Sequence, residues 1–373
     1  MRVLLSGGGT AGHINPALAI AGKIQERYPD SEFLFVGAKG RMETDLVPKA
    51  GYPFESIVVK GFKRKLTPAG IAHNVSAAYH AVASGRDCNR ILKEFKPDIC
   101  VGTGGYVCGP ILRKAAKKGI PVVLHESNAF PGITVKMLAK TAARVCVATE
   151  EAIPRLPEGT NVVVTGNPLR AEFQHPDKEL SRLEMELDDR PFVLSLGGSL
   201  GALKINELMR GVLTLACKDN AVHHLHATGR AEYDDFIRDM KTAGVTDNDS
   251  VEIRAYIDDM PRCMAAADLV VCRCGAMTTT ELLACGKPSI LIPSPNVAEN
   301  HQFYNAQALV HKGAAVCIEE KDLTADRLFA EIRALTDDPE KLAQMAESAK
   351  AAAITDAADR IVDVVDEVLA AQR

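Results

Sequence analysis

Two stretches of this chain begin alike, and the repetition narrows the possible folds more than any other feature. Val3-Leu4-Leu5-Ser6-Gly7-Gly8-Gly9-Thr10-Ala11-Gly12 and Val193-Leu194-Ser195-Leu196-Gly197-Gly198-Ser199-Leu200-Gly201-Ala202 each run from a short apolar segment into a glycine turn, with a helical pattern behind it. An apolar run without polar alternation fits a strand buried on both faces, which is how strands of parallel sheets read. Such runs recur between longer amphipathic stretches, the pattern of βα units. In the first half they predict strands at Val3–Ser6, Glu32–Val36, Ser56–Val59, Ile99–Gly102, Val122–His125, Val145–Val147 and Val162–Thr165. In the second half the predicted strands are Phe192–Leu196, His223–Ala227, Val251–Ala255, Leu269–Cys272, Ser289–Ile292 and Ala315–Ile318. Helical patterns fill the gaps, among them Pro16–Arg27, Leu203–Cys217 and Thr278–Cys285. The fold class is therefore α/β: two doubly wound domains in tandem, with ligands expected beyond the carboxyl ends of their strands.

The polar stretch Asn167–Arg190 has no strand signal, so the junction is placed at its start. This predicts an N-terminal domain over 1–165 and a second domain over 166–345. The Ala-rich tail, 346–373, carries an apolar helical stripe at Ile361, Val364, Val365 and Val368 and is expected to pack back on the N-terminal domain. A length of 373 residues suits two or three domains. With 47% apolar and 25% charged residues, the chain is neither disordered nor a polytopic membrane protein. No apolar run approaches the roughly 18–20 residues of a spanning helix, and the opening Met1-Arg2-Val3-Leu4-Leu5-Ser6 reads as a strand rather than a signal peptide. The ten cysteines form no C-x-x-C pair, and Cys100, Cys146 and Cys272 lie in strand-like runs, so reduced thiols in a cytosolic protein are expected. A net charge of −4 argues against a nucleic-acid partner.

Gly7, Gly9 and Gly12 match the dinucleotide-binding G-x-G-x-x-G. That fingerprint also needs an acid at the end of the second strand, where this chain has Phe35-Val36-Gly37-Ala38-Lys39. The dehydrogenase reading is therefore set aside. Small residues still let backbone N–H groups approach an anion, and the following helix adds its positive end. A single loop of this kind can be a turn that binds nothing. Two of them, one per half, favour an anionic ligand in each domain.

Several side chains fall where chemistry is expected. His13 follows the first loop at the start of a helix, with Pro16 expected in its first turn; it is a candidate proton acceptor or a helix-capping histidine. His125-Glu126-Ser127-Asn128 stands at the carboxyl end of a predicted strand and lacks the second histidine of a metal-binding H-E-x-x-H. In the second half, Thr278 and Thr279 of Gly275-Ala276-Met277-Thr278-Thr279-Thr280-Glu281 are candidates to cap a helix and bind phosphate. Glu281, one turn in, is either an acceptor for vicinal sugar hydroxyls or an ordinary first-turn acid. Amides of Asn300-His301-Gln302-Phe303-Tyr304-Asn305 are candidates to read sugar hydroxyls, and Arg170 to reach a diphosphate. The pairs Asp234-Asp235 and Asp258-Asp259 read as helix starts, and no metal-binding D-x-D is evident. Lys60, Lys63, Arg64 and Lys65 surround Phe62 and Leu66, and Ile71, Val75 and Tyr79 follow at helical spacing. This is either a solvated loop before a core helix or a contact for an anionic membrane surface.

Taken in order, these motifs resemble a known family nearly along the whole chain. Gly8–His13 with Pro16-Ala17-Leu18-Ala19, Thr103-Gly104-Gly105-Tyr106-Val107, His125–Gly132, Gly166–Arg170, Gly197–Ala202, Ile257-Asp258-Asp259-Met260, Cys272–Glu281 and His301–Asn305 are similar to the MurG family. Its members are UDP-N-acetylglucosamine:undecaprenyl-diphospho-muramoyl-pentapeptide N-acetylglucosaminyltransferases of the GT-B fold, two Rossmann-like domains facing a cleft. The resemblance implies a donor, UDP-N-acetylglucosamine, held mainly by the second domain. Ile257 would read the uracil through its backbone and Glu281 the ribose. Ser199, Ala276, Met277, Thr278, Thr279, Thr280 and Arg170 would hold the diphosphate. Gln302 would contact the sugar, as would Asn128 of the first domain, while Thr10, Ala11 and Gly12 would line the sugar and acceptor-diphosphate side. The chain departs from the family at Ala11, commonly glycine there, and at Ser127, often glutamine.

The reaction so implied is a single in-line displacement, with the muramoyl 4-hydroxyl attacking the anomeric carbon and UDP leaving. His13 is favoured as the base and Glu126 is the second candidate. The implied partners are the UDP-sugar, the undecaprenyl-linked acceptor, an anionic membrane surface met by residues 60–79 and other cell-wall synthesis proteins, with no cofactor and no metal. The implied location is peripheral, on the cytoplasmic face of the cell membrane. Transfer to another lipid acceptor such as diacylglycerol is the nearest alternative; a UDP-N-acetylglucosamine 2-epimerase and a non-catalytic scaffold are more distant ones.

Overall fold

A computed structural model of the chain describes residues 1–59, 84–173, 175–198, 201–245 and 250–372. The chain divides into two units, Met1–Leu169 with Asp356–Arg373, and Arg170–Thr355.

In the first unit seven parallel strands form one sheet. They are β1 (Arg2–Ser6), β2 (Glu32–Ala38), β3 (Phe54–Ile57), β4 (Ile99–Gly102), β5 (Val122–Glu126), β6 (Arg144–Val147) and β7 (Val162–Val164), in the order β3-β2-β1-β4-β5-β6-β7. The strand order reverses between β1 and β4, the switch point at which a doubly wound sheet opens a crevice at its carboxyl edge. The helices are α1 (Ala11–Arg27), α2 (Glu43–Lys49), the helical residues 84–95 (α3), α4 (Cys108–Lys117) and α5 (Ile133–Leu138). Both faces of the sheet are covered, as alternate β1 residues show. Leu4 packs with Val36, Ile111 and Leu124 on one side, while Val3 and Leu5 pack with Ile14, Ile20 and Ile24 of α1 on the other.

The second unit repeats the design with six parallel strands: β8 (Phe192–Leu196), β9 (His223–Ala227), β10 (Val251–Arg254), β11 (Leu269–Cys272), β12 (Ser289–Leu291) and β13 (Ala315–Cys317), ordered β10-β9-β8-β11-β12-β13. Its helices are α6 (Lys178–Glu184), α7 (Leu203–Asp219), α8 (Tyr233–Thr242), α9 (Met260–Ala266), α10 (Ala276–Ala284), α11 (His301–His311), α12 (Ala325–Thr336) and α13 (Pro339–Ala352). The switch point falls between β8 and β11, beside the second glycine loop and the start of α10. The last helix, α14 (Ala357–Ala370), belongs to the first unit. It buries Ile361, Val362, Val364, Val365 and Val368 in the core that α1 shares. The tail is therefore two helices with different allegiances, α13 staying with the second unit and the return beginning at Asp356.

One expectation about α1 is corrected. The helix starts at Ala11, so Pro16 is interior rather than in the first turn. A proline there removes one intrahelical N–H, the donor that would otherwise reach the Gly12 carbonyl, and Pro16 is buried. All ten cysteines are free thiols. No helix among the described residues is long and apolar enough to cross a membrane.

Candidate active site

At the carboxyl edge of the first sheet, β1 runs through the glycine loop into α1. Thr10 is the N-cap residue, with extended backbone, but its side chain caps nothing and instead lies 3.3 Å from His13 Nδ1. The first turn holds no acid, and the N–H groups of Ala11 and Gly12 have no partner among the described residues, so the helix presents bare donors there. Ala11 does not have a positive φ, and its methyl group therefore costs no backbone strain. His13 Nδ1 lies 3.1 Å from the Gly8 carbonyl oxygen. A carbonyl can only accept, so Nδ1 carries the hydrogen and Nε2 is left with its lone pair. Burial lowers the His13 pKa, against opposing pulls from the Gly8 carbonyl and the Glu43 carboxylate. The imidazole is thus held neutral with a basic nitrogen available.

The end of β5 is organised differently. His125 is fully buried, donates from Nε2 to Gly166 O at 3.1 Å, and is pushed down to about 4 by burial. It serves as a neutral core histidine. Glu126, the second candidate for the base, is occupied by the loop that follows it. Its Oε1 accepts from Asn128 N at 2.9 Å and Asn128 Nδ2 at 3.0 Å, and its Oε2 accepts from Gly132 N at 2.8 Å. Three donors on a carboxylate that is 4% exposed leave it poorly suited to take a proton and well suited to orient Asn128.

In the second unit, β11 leads through Arg273-Cys274-Gly275 into α10. Gly275 is the N-cap, and no side chain caps the N–H groups of Ala276, Met277 and Thr278. The expectation that Thr278 and Thr279 offer their hydroxyls to phosphate needs revision for Thr279. Thr279 Oγ1 and Thr280 Oγ1 both donate to the Ala276 carbonyl at 2.9 Å, the usual back-bonding of a threonine inside a helix. Thr278 is the one whose hydroxyl makes no hydrogen bond among the described residues.

Glu281 lies one turn further on, its side chain 13% exposed, with Arg170 Nη2 3.4 Å from Oε1. Burial raises its pKa to about 7, and Arg170 opposes the shift only in part. Arg170 also stacks 4.7 Å over the Phe173 ring. Gln302 uses its carbonyl to accept from Ser294 N at 2.9 Å, so its NH₂ is the end left to donate. Asn305 ties α11 to the same loop by donating to Cys274 O at 3.0 Å. Ile257 is buried, and its backbone N–H and C=O have no partner among the described residues. The second glycine loop is closed by Gly201 N donating to Gly198 O at 3.0 Å.

Ser199 and the membrane-contact candidates Lys60, Phe62, Lys63, Arg64, Lys65, Leu66, Ile71, Val75 and Tyr79 lie outside the described residues. Among the described residues no cluster of three or more His, Cys, Asp and Glu is arranged to hold a metal ion.

Each sheet therefore ends in a glycine turn and an uncapped helix start, the first with a neutral imidazole and the second with a buried carboxylate and an arginine. Comparison with known proteins meets the same two halves. Residues 3–147 match the glycosyltransferase family 28 N-terminal domain and residues 192–361 match the glycosyltransferase family 28 C-terminal domain. The chain belongs to glycosyltransferase family 28. A protein of Acetivibrio thermocellus named UDP-N-acetylglucosamine–N-acetylmuramyl-(pentapeptide) pyrophosphoryl-undecaprenol N-acetylglucosamine transferase is 45% identical over 370 residues, covering 99% of this chain and 98% of that protein. A protein of the same name from Thermoanaerobacter sp. is 43% identical, covering 99% of this chain and all of its own length. The crystal structure of Acinetobacter baumannii MurG superposes with a TM-score of 0.80 at 28% identity, over 98% of this chain and 99% of that one.

Within the family 28 N-terminal match lies a residue that sequence reasoning missed. Glu43, at the start of α2, is fully buried, and its carboxylate reaches back to the glycine loop. A glutamate in the first turn of a short helix reads as an exposed residue favoured by the dipole. The signal available was indirect: glycine at both 8 and 37, positions where a Cβ would strike the Glu43 side chain.

Proposed function

We propose that this chain transfers N-acetylglucosamine from UDP-N-acetylglucosamine to the 4-hydroxyl of the muramoyl sugar of undecaprenyl-diphospho-N-acetylmuramoyl-pentapeptide, inverting the anomeric centre. The observation that carries the reading is the His13 imidazole, neutral and with its Nε2 lone pair unspent among the described residues, in a chain that matches transferases of that name end to end. The muramoyl oxygen bonds to the anomeric carbon as its proton passes to Nε2. The bond from that carbon to the diphosphate oxygen breaks, and UDP leaves with the electron pair. An α-linked donor gives a β-1,4 product.

The remaining roles follow from what each group has left to offer. N–H groups of Ala276, Met277 and Thr278, the Thr278 hydroxyl and Arg170 oppose the negative charge growing on the diphosphate. Glu281, once ionised, accepts the two ribose hydroxyls, and the Ile257 backbone reads the uracil. The Gln302 NH₂ and Asn128 contact the sugar hydroxyls, while Thr10, Ala11 and Gly12 face the acceptor diphosphate. The enzyme works as a peripheral protein at the anionic cytoplasmic surface of the membrane, with Lys60, Lys63, Arg64 and Lys65 as its basic contact, alongside other cell-wall synthesis proteins.

A UDP-release assay tests the reading. Release is expected only when UDP-N-acetylglucosamine and the muramoyl lipid are both present, and His13→Ala should lower turnover by about 100-fold or more while donor binding survives. UDP release without acceptor, or equal rates with diacylglycerol, refutes it.

A further inference from the structure

Glu43 is buried without a role in the chemistry above. Its Oε2 accepts the Gly9 N–H at 3.1 Å and its Oε1 the Ala38 N–H at 3.0 Å. Burying a carboxylate costs several kcal/mol unless charge-assisted hydrogen bonds offset it, as these two do in part. The backbone has been cleared around it. A Cβ on Gly8 would lie 2.3 Å from Glu43 Oε1, and one on Gly37 would lie 2.5 Å from Glu43 Cγ.

The Gly9 N–H belongs to the same planar peptide unit as the Gly8 carbonyl, and Gly8 O is the acceptor for His13 Nδ1 at 3.1 Å. One rigid peptide therefore carries a carboxylate on its N–H and an imidazole on its C=O. Hydrogen bonds in such a chain polarise one another, and the buried setting strengthens the effect. The carboxylate draws on the N–H, the carbonyl becomes a better acceptor, and the Nδ1–H tautomer is favoured together with the cation that forms when Nε2 takes a proton.

We propose that Glu43 is a positioning residue for His13, acting through the Gly8–Gly9 peptide as the acid of a Ser-His-Asp triad acts directly on its histidine. During transfer the acceptor proton goes to His13 Nε2, the Nδ1 hydrogen stays between His13 and Gly8, and no proton passes to Glu43. The kinetic side of this inference rests on His13 being the base of the proposed transfer. The coupling itself does not.

The test uses the full chain with Glu43→Gln, which removes the negative charge and turns an NH₂ toward one of the two backbone donors. Nitrogen NMR of the imidazole reads the His13 titration and tautomer without substrate. Both should move, the titration to lower pH and the tautomer away from Nδ1–H. Turnover should fall about tenfold or more, with the acidic limb of the pH–rate profile shifted down and the KM for UDP-N-acetylglucosamine changed less than about twofold. In a His13→Ala background the same substitution should change turnover by less than about twofold, because a residue acting through His13 has nothing left to act on.

Should E43Q fail to fold, Glu43→Asp, whose shorter carboxylate keeps one bond, should move the His13 titration in the same direction. An unmoved titration and tautomer, or equal losses of turnover with and without His13, overturns the proposal. A shifted titration in a protein that makes no disaccharide-lipid product supports the Glu43–His13 coupling and overturns the assigned reaction instead.

Discussion

Gly104 leaves its side-chain position clear for the His13 ring: a Cβ on Gly104 would lie 2.8 Å from His13 Cδ2 and 3.1 Å from its Nε2. Gly104 also has a φ of 102°, so the position excludes side chains on two independent grounds. Gly104→Ala should push the imidazole off its Gly8 hydrogen bond. A displacement of about 1 Å at a reacting group costs on the order of 100-fold in rate. Turnover should fall by that order, while affinity for UDP-N-acetylglucosamine, measured by calorimetry, stays within about twofold of the parent because the donor groups proposed above lie mainly in the second unit. Wild-type turnover in G104A would remove His13 from the mechanism.

The docking of α14 on α1 combines charge and apolar contact, and the two contribute unequally. Arg27 meets Asp363 at 2.5 Å and Asp359 and Asp366 at 3.2 Å, and Tyr28 Oη donates to Asp366 at 2.8 Å. These groups are solvent-accessible, so Arg27→Ala should cost only about 1 kcal/mol. Ending the chain after Thr355 removes Ile361, Val362, Val364, Val365 and Val368 from the core. At about 1.5–3 kcal/mol for each buried side chain, that loss is comparable to the whole stability of an ordinary domain. The truncated protein should lose the cooperative melting of its first unit while R27A keeps it, as calorimetry would show.

What the amino-acid sequence made legible was whatever depends on local pattern. Central strands such as β1, β4, β8 and β11 answer to an apolar run because they are covered on both faces, whereas β3, β9 and β10 carry polar residues within the strand. His13 and Glu281 drew attention by position, since each follows a glycine turn at the carboxyl end of a strand, where this architecture places its ligand edge. What escaped depends on contacts distant in sequence. Glu43 reaches Gly9 across 34 residues, and nothing around Met42 or Thr44 announces it. Glu126 looked available for proton transfer because the loop from Ser127 to Gly132 folds back on it only in three dimensions. The inward turn of the Thr279 and Thr280 hydroxyls was readable in principle, as helix-interior threonines back-bond to the preceding turn. The start of α1 was misplaced because Pro16, a strong first-turn signal, sits inside a helix that begins at Ala11.

Buried histidines should make the second unit acid-sensitive. Burial holds His224 at about 4 and His226 at about 3, both below the unfolded value of 6.5. The sign follows from linkage: between pH 6.5 and those values the unfolded chain binds protons that the folded chain refuses. Stability is complete above about pH 6.5 and declines as pH falls, by about 1.4 kcal/mol per pH unit for each histidine. The two differ in what they offer the fold. His226 is fixed by Ser195 at 2.9 Å and Asn206 at 3.2 Å. Neither nitrogen of His224 has a partner among the described residues. His224→Leu should therefore raise the melting temperature at pH 5 more than at pH 7.5, and equal shifts at the two pH values would contradict the assignment.

Glu281 should make donor binding depend on pH near neutrality. Its folded pKa of about 7 means that the ligand-free protein is close to half protonated at neutral pH. A carboxylic acid turns one oxygen into a donor and holds two ribose hydroxyls less well than the ion does, so binding should favour loss of the proton. Affinity for UDP-N-acetylglucosamine should be level above about pH 8 and weaken below pH 7, approaching tenfold per pH unit, with a proton released on binding. A UDP-sugar is a diphosphate diester with no titration of its own in that range. Stability runs the opposite way: a carboxyl raised from 4.5 to about 7 favours the fold fully below 4.5, and that contribution is lost as pH rises through 7. Glu281→Gln should then bind the donor weakly at every pH, release no proton, and melt at a higher temperature than the parent at pH 8. Calorimetry in buffers of different ionisation enthalpy measures the proton directly, and a pH-independent affinity in the parent protein would take Glu281 out of the ribose site.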